Sequence, residues 1–439
     1  MTKSNHAFQT ARTTRAIFAM KSLRSLADGY WLIAFALYIE HFGFGALAIG
    51  LFAALSVVLG IGYTTLFTHL ASRHGSRPFL LLSAALMTVS GALFASAQAP
   101  WQIALAAMCG FAPPSGGLFM NALEEGVLAH APSARRTKIF ANYGFLGTAA
   151  GAAGALALGL PVWLGERPGL PFHAQELMLW LYAGTGAATF FVALAVRDST
   201  SHAAAQGLTA QDLATQDLAT QDLATQDLAA QEQATQELAA RQEPAGRGLG
   251  QSRAIVYRIA GLFVADSMGS GMVATPLLVF WLHHQLGMSP SALAALFFGI
   301  EILAAISFPL AEWISRHIGL LNTAVFTHIP SSLLLMLVPF APNPATAAAL
   351  LLARGLLVEM DVPTRQSYIA AVVLPGERKA AAGVTSIGKQ IGRAIGPVIG
   401  GSTLSTAGAI LPFWLGGGVK IAYDLALWAS FRRVAVREQ

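Results

Sequence analysis

Ten ionisable residues interrupt apolar runs in the second half of this chain. Asp266, Glu301, Arg354, Arg393 and Lys420 sit deepest in those runs, and Glu359, Asp361, Arg365, Lys389 and Asp424 lie nearer their ends. A charge at the middle of a bilayer costs roughly 2.5–3.5 kcal/mol on insertion scales, so each needs a partner or a task. Asp361 and Arg365 are four apart and share a helix face, as do Lys420 and Asp424. A structural ion pair that helps insertion is the plain reading of both, although Pro363 predicts a kink and an imperfect first pair. Five acids balance five bases, so the sign of any solute cannot be read from them. Asp266 and Glu301 have no partner at helical spacing. A carboxyl held away from water can load and release a proton, so these two are the proton-coupling candidates, with an interhelical structural partner as the alternative. Arg393 lies one turn from Lys389 on the same face. Arg354, Asp361, Arg365, Lys389, Arg393 and Lys420 form the set that either holds a substrate or pairs with the acids.

Other chemistries are missing. There is no His-Glu-x-x-His pattern and no Gly-x-x-x-x-Gly-Lys-Ser/Thr loop, so neither a zinc hydrolase nor an ATP-driven pump is written here. His283-His284 reads as a solvated pair. The single cysteine, Cys109, cannot form an intrachain disulfide. No enzyme, metal or cofactor is expected.

The elements that carry these charges follow from composition. Of 439 residues, 55% are hydrophobic and only 11% charged; an average soluble chain carries about 25% charged residues. Runs of about 20 apolar residues fit membrane-crossing helices, whereas barrel strands would be about 10 long and alternating. Breaks at polar and Pro/Gly clusters divide the chain into twelve spans. Twenty-one of the 27 Lys and Arg fall in loops on one side, and on the other only Arg167. That bias places both termini and the central loop in the cytoplasm. It also explains the basic pI without nucleic acid, since no basic patch with interleaved aromatics exists. The first apolar run is read as a retained span of a multi-pass protein of the cell membrane, in contact with lipid, and not as a signal peptide.

The expected organisation is a cytoplasmic segment 1–24, a six-helix bundle 25–196, a cytoplasmic linker 197–253, a second six-helix bundle 254–432 and a tail 433–439. The linker holds three consecutive copies of TQDLA, from Thr215 to Ala229. A period of five turns each successive leucine by about 140° on a helix, so no apolar stripe forms and a tether is expected. The two halves echo each other. Ser72-Arg73-His74-Gly75 returns as Ser315-Arg316-His317-Ile318-Gly319, and Gly147 and Gly151 return as Gly388 and Gly392, at offsets of 243 and 241. On span 1, Trp31, Phe35, Tyr38 and Phe42 mark an apolar, aromatic N-terminal half. Most of them read as lipid-facing, with one or two available for a cavity wall.

On these residues the chain resembles the major facilitator superfamily over nearly its whole length. That family's loop after span 2 usually reads Gly-x-x-x-Asp-Arg-x-Gly-Arg-Arg. The matching positions here are Thr68, Ser72, Arg73, Gly75, Ser76 and Arg77, so the Gly and the Asp are replaced. The resemblance implies gating loops at Arg73, Gly75, Arg77 and Arg316. Span 11 reads Gly388-x-x-x-Gly392-x-x-x-Gly396-Pro397-x-x-Gly400-Gly401. This resembles the glycine-proline motif of the family's antiporters, normally placed on span 5. Glycines at spacing four permit close packing or sliding. Met360 to Tyr368, reading MDVPTRQSY, and Phe326 to Pro330 resemble signatures of one branch of the family. The resemblance implies an all-α polytopic membrane protein of two pseudo-symmetric six-helix bundles. It implies a secondary active transporter of a small solute, proton-coupled, more readily export than uptake, and monomeric. A membrane sensor or scaffold with the same fold is the alternative.

Overall fold

The computed structural model describes residues 2–113, 117–128, 133–159, 174–196, 249–250, 252–361, 365, 372–374, 377–406, 408 and 410–432. Among them every regular element is helical. Most of the linker with its TQDLA copies, the tail 433–439, and Val362–Thr364 and Gln366–Tyr368 of the span-10 signature lie outside the described residues.

Fourteen helices are named here in chain order: α1 (Thr2–His41), α2 (Ala46–His74), α3 (Arg77–Ala95), α4 (Pro100–Ala106), α5 (Leu118–Leu128), α6 (Ser133–Ala157), α7 (Ala174–Ala193), α8 (Arg253–Met272), α9 (Thr275–Leu286), α10 (Pro290–Ile318), α11 (Leu320–Leu337), α12 (Pro344–Val358), α13 (Arg378–Thr406) and α14 (Ile410–Phe431). Each of the twelve expected spans coincides with one helix or with a broken helix. Span 4 is α4 and α5, separated by a π turn that holds Gly110 at a φ of 84°. Span 7 is α8 and α9, broken before Pro276. Among the described residues, six segments are long and apolar enough to cross a bilayer alone, and Pro100–Phe111, Leu177–Ala193 and Pro344–Val358 are shorter apolar helices. Large apolar side chains such as Trp101, Phe145, Phe191 and Trp313 point outward, as they would when the solvent is lipid.

The chain divides into two compact units. The first is Met1–Gly43, Leu55–Ala224 and Ser289–Ala295; the second is Phe44–Ala54, Thr225–Met288 and Leu296–Gln439. Within the first, α1 packs on α6 and α7, and α3 on α7. Within the second, α8 packs on α13 and α14, and α11 on α14. These are the same contacts moved by six spans, so the repeat seen in sequence is a repeat of packing.

Glycine sets the closest contacts. A Cβ at Gly388, Gly392, Gly396 or Gly400 would come within 2.6, 2.4, 2.4 or 2.0 Å of the carbonyl oxygens of Ala260, Val264, Met268 and Met272. Both partners advance by four residues, so α8 and α13 touch backbone to backbone along a full ridge. Pro397 lies against Gly271 on the same ridge. Gly401 turns instead to the Ala46 carbonyl, in the Phe44–Ala54 segment of its own unit. In the first unit the α1–α6 contact uses Gly29 on Gly151 and Gly154 on Leu26 in the same way.

Candidate functional site

The second unit gathers its buried charges around Asp266 of α8. Its Oδ1 accepts from Lys420 Nζ of α14 at 2.9 Å, and its Oδ2 accepts from Arg365 Nη1 at 2.9 Å. Lys420 also donates to Ser270 Oγ at 2.7 Å. Arg365 Nη1 lies 3.0 Å from Asp361 Oδ2 and donates to the Tyr423 hydroxyl at 3.3 Å. His328 Nδ1 of α11 donates to Asp424 at 2.9 and 3.0 Å. Asp266, Asp361, Arg365, Lys420, Asp424 and His328 are all more than nine-tenths buried. Removing ions from water costs several kcal/mol each, which explains why Asp266, Asp361, Arg365 and Lys420 each have a close counter-charge.

Asp266 has the interhelical partner that the sequence left as its alternative: two cations on other elements hold it, at sequence distances that no helical spacing reveals. The expected Lys420–Asp424 pair does not form. Lys420 turns to Asp266, and His328 takes Asp424. The Asp361–Arg365 pair does form, across Pro363. Glu301 is on the surface of α10 and has no ion-pair partner among the described residues. Lys389 of α13 lies 5.3 Å from the centre of the Phe263 ring, and Arg365 4.7 Å from it. Arg393, one turn further along α13, is half-buried, as is Arg354 of α12.

The two expected gating loops share one device. Gly75 and Gly319 end α2 and α10 with φ of 86° and 84°, and their amides bond back to Ala71 and Ser315 at 2.9 Å. A side chain at that φ is strained, so glycine recurs there. Arg77 donates to the Leu194 carbonyl at 3.3 Å. Arg73 is exposed, and Arg316 pairs with Glu312 on its own helix.

The first unit holds a second charge cluster that composition hid. Arg24, counted in sequence with the cytoplasmic cations, lies near the middle of α1 and is 2% exposed. Its Nη2 donates to Glu124 Oε2 at 3.0 Å and to Asn121 Oδ1 at 2.6 Å, both on α5. The Tyr143 hydroxyl of α6 donates to the same Glu124 oxygen at 2.5 Å. Lys21 donates to Asn121 at 3.0 Å and lies 4.8 Å from the centre of the Tyr143 ring. Its stem occupies the space that a side chain at Gly147 would take. Asp28 lies 3.7 Å from Arg24 Nη1 and accepts from the Tyr182 hydroxyl at 3.2 Å. The N-terminal interior is thus not solely apolar. Nor are its aromatics chiefly lipid-facing: Trp31, Phe35 and Tyr38 are buried with Phe94 and Tyr182, and Trp31 Nε1 donates to the Phe111 carbonyl.

The two clusters occupy matching places in the repeat. Arg24 and Asp266 are 242 residues apart, and Glu124 and Arg365 are 241 apart. Tyr182 and Tyr423 are 241 apart, and each hydroxyl joins its own cluster. The span 1–span 4 ion pair is thus rebuilt between spans 7 and 10 with its charges exchanged. Applying the offset of 241–243 to charged residues would have found this pair in the sequence.

Comparison with known proteins follows the same lines. Residues 259–439 match the family model of the Major Facilitator Superfamily. An uncharacterized membrane protein of Saccharomyces cerevisiae is 26% identical over 429 residues, 96% of this chain and 94% of the relative. The nucleoside transporter NupG superposes with a TM-score of 0.68 at 14% identity, over 96% of this chain and 99% of that one. The human organic anion transporter MFSD10 (TETRAN) gives 0.59 at 18% identity, over 95% and 99%. The xylose transporter XylE from E. coli gives 0.62 at 13% identity, over 95% and 98%.

Proposed function

We propose that this chain, which has the fold of the major facilitator superfamily and matches its family model over the C-terminal half, is a secondary active transporter. It moves a small solute across the cell membrane by alternating access, with protons as the coupling ion and export as the direction. The observation that carries the reading is the duplicated six-span unit with an ion cluster buried in each copy. Two such units rocking about a site is the general design of secondary carriers, and buried charges in membrane spans are retained where they serve transport. A solved relative of similar fold is described as a proton:xylose symporter, which supports proton coupling. Export rests on the glycine-proline motif of span 11. Cytoplasmic termini rest on the cation bias of the loops, and a monomer on the usual habit of the family.

Of the two carboxylates put forward for the proton, Asp266 is held by two cations and reads as the link between spans 7, 10 and 12. Glu301 has no such clamp and keeps the proton-carrying role. Lys389 and Arg393, half-buried on α13, are the cations proposed to meet the solute. The test is proton movement in proteoliposomes, followed with a pH-sensitive dye while xylose, uridine or benzoate is applied as a gradient. Native protein should give solute-dependent proton flux. Glu301→Gln should lose it and keep solute exchange. Solute flux with no proton movement in the native chain would end the coupled reading, and no flux with any solute would favour a sensor or scaffold.

A further inference from the structure

Arg354 of α12 is placed differently from the bases around Asp266. Arg365 and Lys420 donate to that carboxylate, and Lys389 lies against the Phe263 ring. Among the described residues no hydrogen bond, ion pair or aromatic ring reaches the Arg354 guanidinium, and its buried Nε has no partner. Glu359, five residues on and about 140° further round a helix, acts on it only across space. The side chain is not on the outer face of its helix. α12 exposes Ala345, Ala349 and Ala353, whereas Arg354 follows Ala347 and Leu351 by seven and three residues, on the buried face. One position on, Gly355 lies against Ile300 of α10, and Leu352 reaches Gly299 of the same helix. Arg354 is ten residues past Pro344, the first residue of α12. That is about 15 Å along the axis, half of a hydrocarbon core about 30 Å thick. An arginine cannot shed its proton there, and a charge at that depth needs a counter-charge.

We infer that Arg354 is the group that receives the charge of the solute, and that the solute is a monocarboxylate with an apolar body; the inference deepens the transport reading above and rests on it. The guanidinium is a planar fork whose N–H groups donate two parallel hydrogen bonds to the oxygens of one carboxylate. One uncompensated positive charge is matched by one carboxylate, whereas a phosphate ester brings about 1.5–2 negative charges and leaves an excess. The neighbours on this face, Leu351, Leu352 and Ile300, are hydrocarbon. They suit a ring or an alkyl chain, and a sugar hydroxyl placed among them would lose its hydration without gaining a bond. The fold therefore leaves this one ion pair open, and the solute completes it. Of the solutes named above, benzoate has the chemistry that the residue takes; xylose and uridine do not.

The experiment is thermal unfolding of the purified full chain in detergent against rising benzoate, with benzyl alcohol and inorganic phosphate as controls. Native protein should melt at higher temperature as benzoate rises, because a ligand that binds only the folded state stabilises it. Benzyl alcohol, which keeps the ring and lacks the charge, and phosphate should leave the melting temperature where it was. Arg354→Gln should weaken the apparent affinity for benzoate by about tenfold or more, and Arg354→Lys, which keeps the charge and loses the fork, by less. Without ligand, Arg354→Gln should melt at or above the native temperature, since it removes a charge that the fold does not pair. A large drop in that temperature would make Arg354 a structural tie and overturn the inference. Equal affinity for benzoate in native and Arg354→Gln protein overturns it too, as does a native chain stabilised by none of benzoate, phenylacetate and hexanoate. In proteoliposomes the native chain should move benzoate, and Arg354→Gln should lose that flux. Movement of xylose or uridine without benzoate overturns the inference and leaves transport standing. Benzoate bound through Arg354 in a chain that moves none of these solutes would refute transport and leave the carboxylate site supported.

Discussion

The two units solve one problem with opposite charges. In the first, a cation on span 1 meets a carboxylate on span 4; in the second, a carboxylate on span 7 meets a cation on span 10. The backbone positions match, and so does the tyrosine contributed by the sixth span of each unit. What differs is how completely the carboxylate is used. Asp266 is short, central and gripped on both oxygens, whereas Glu124 is gripped on one. The same ion pair, with its charges exchanged, therefore holds a carboxylate bonded on both oxygens in one copy and on one oxygen in the other. The identity of the pair is less informative than the count of bonds each atom makes.

Removing the tie should have the largest effect. Asp266→Asn turns its amide toward either Lys420 or Arg365, whichever rotamer it takes, and leaves a buried cation without its counter-charge. Losing one partner of a buried pair costs about 3–5 kcal/mol, so thermal unfolding of the detergent-purified chain should move to markedly lower temperature, or folded yield should collapse. A variant as stable as native would break the comparison.

The matched glycines come next. Gly392→Ala places a Cβ 2.4 Å from the Val264 carbonyl, while Gly151→Ala places one 3.7 Å from that of Ser25. The first should destabilise by about 1–3 kcal/mol through overpacking. The second should be neutral or stabilising by about 0.5–1 kcal/mol, as a helical glycine exchanged for alanine. Equal effects in the same melting assay would mean that the two ridges are packed alike.

The smallest effect on stability is expected from Glu124→Gln. It keeps an acceptor for Arg24 and Tyr143, and Asp28 remains 3.7 Å from Arg24, so its melting temperature should stay within the equivalent of about 1 kcal/mol of native. A loss as large as that of Asp266→Asn would make Glu124 a second rigid tie.

Much of the fold was legible because lipid leaves few choices. Apolar runs of helical length, loop cations on one side and a repeat offset of about 242 define twelve spans in two units, and Gly75 and Gly319 mark equivalent turns. The cluster was only half legible. Asp361 and Arg365 pair at a spacing that a helix dictates. Asp266 with Lys420, and His328 with Asp424, pair across elements 154 and 96 residues apart, and only packing decides such partners. Arg24 was hidden for another reason. The N-terminal stretch before it is rich in cations, so a composition reading puts the membrane boundary there, whereas α1 continues through it unbroken. Trp31 and Phe35 were misplaced because an aromatic on an apolar helix can equally face lipid or protein.

The most direct test of the transport reading is solute-dependent proton flux in proteoliposomes that contain the native chain, with empty liposomes alongside. A pH change that follows the gradient of xylose, uridine or benzoate, and that is abolished by a protonophore, is the predicted result. Solute movement at equal rate with and without a proton gradient would contradict it.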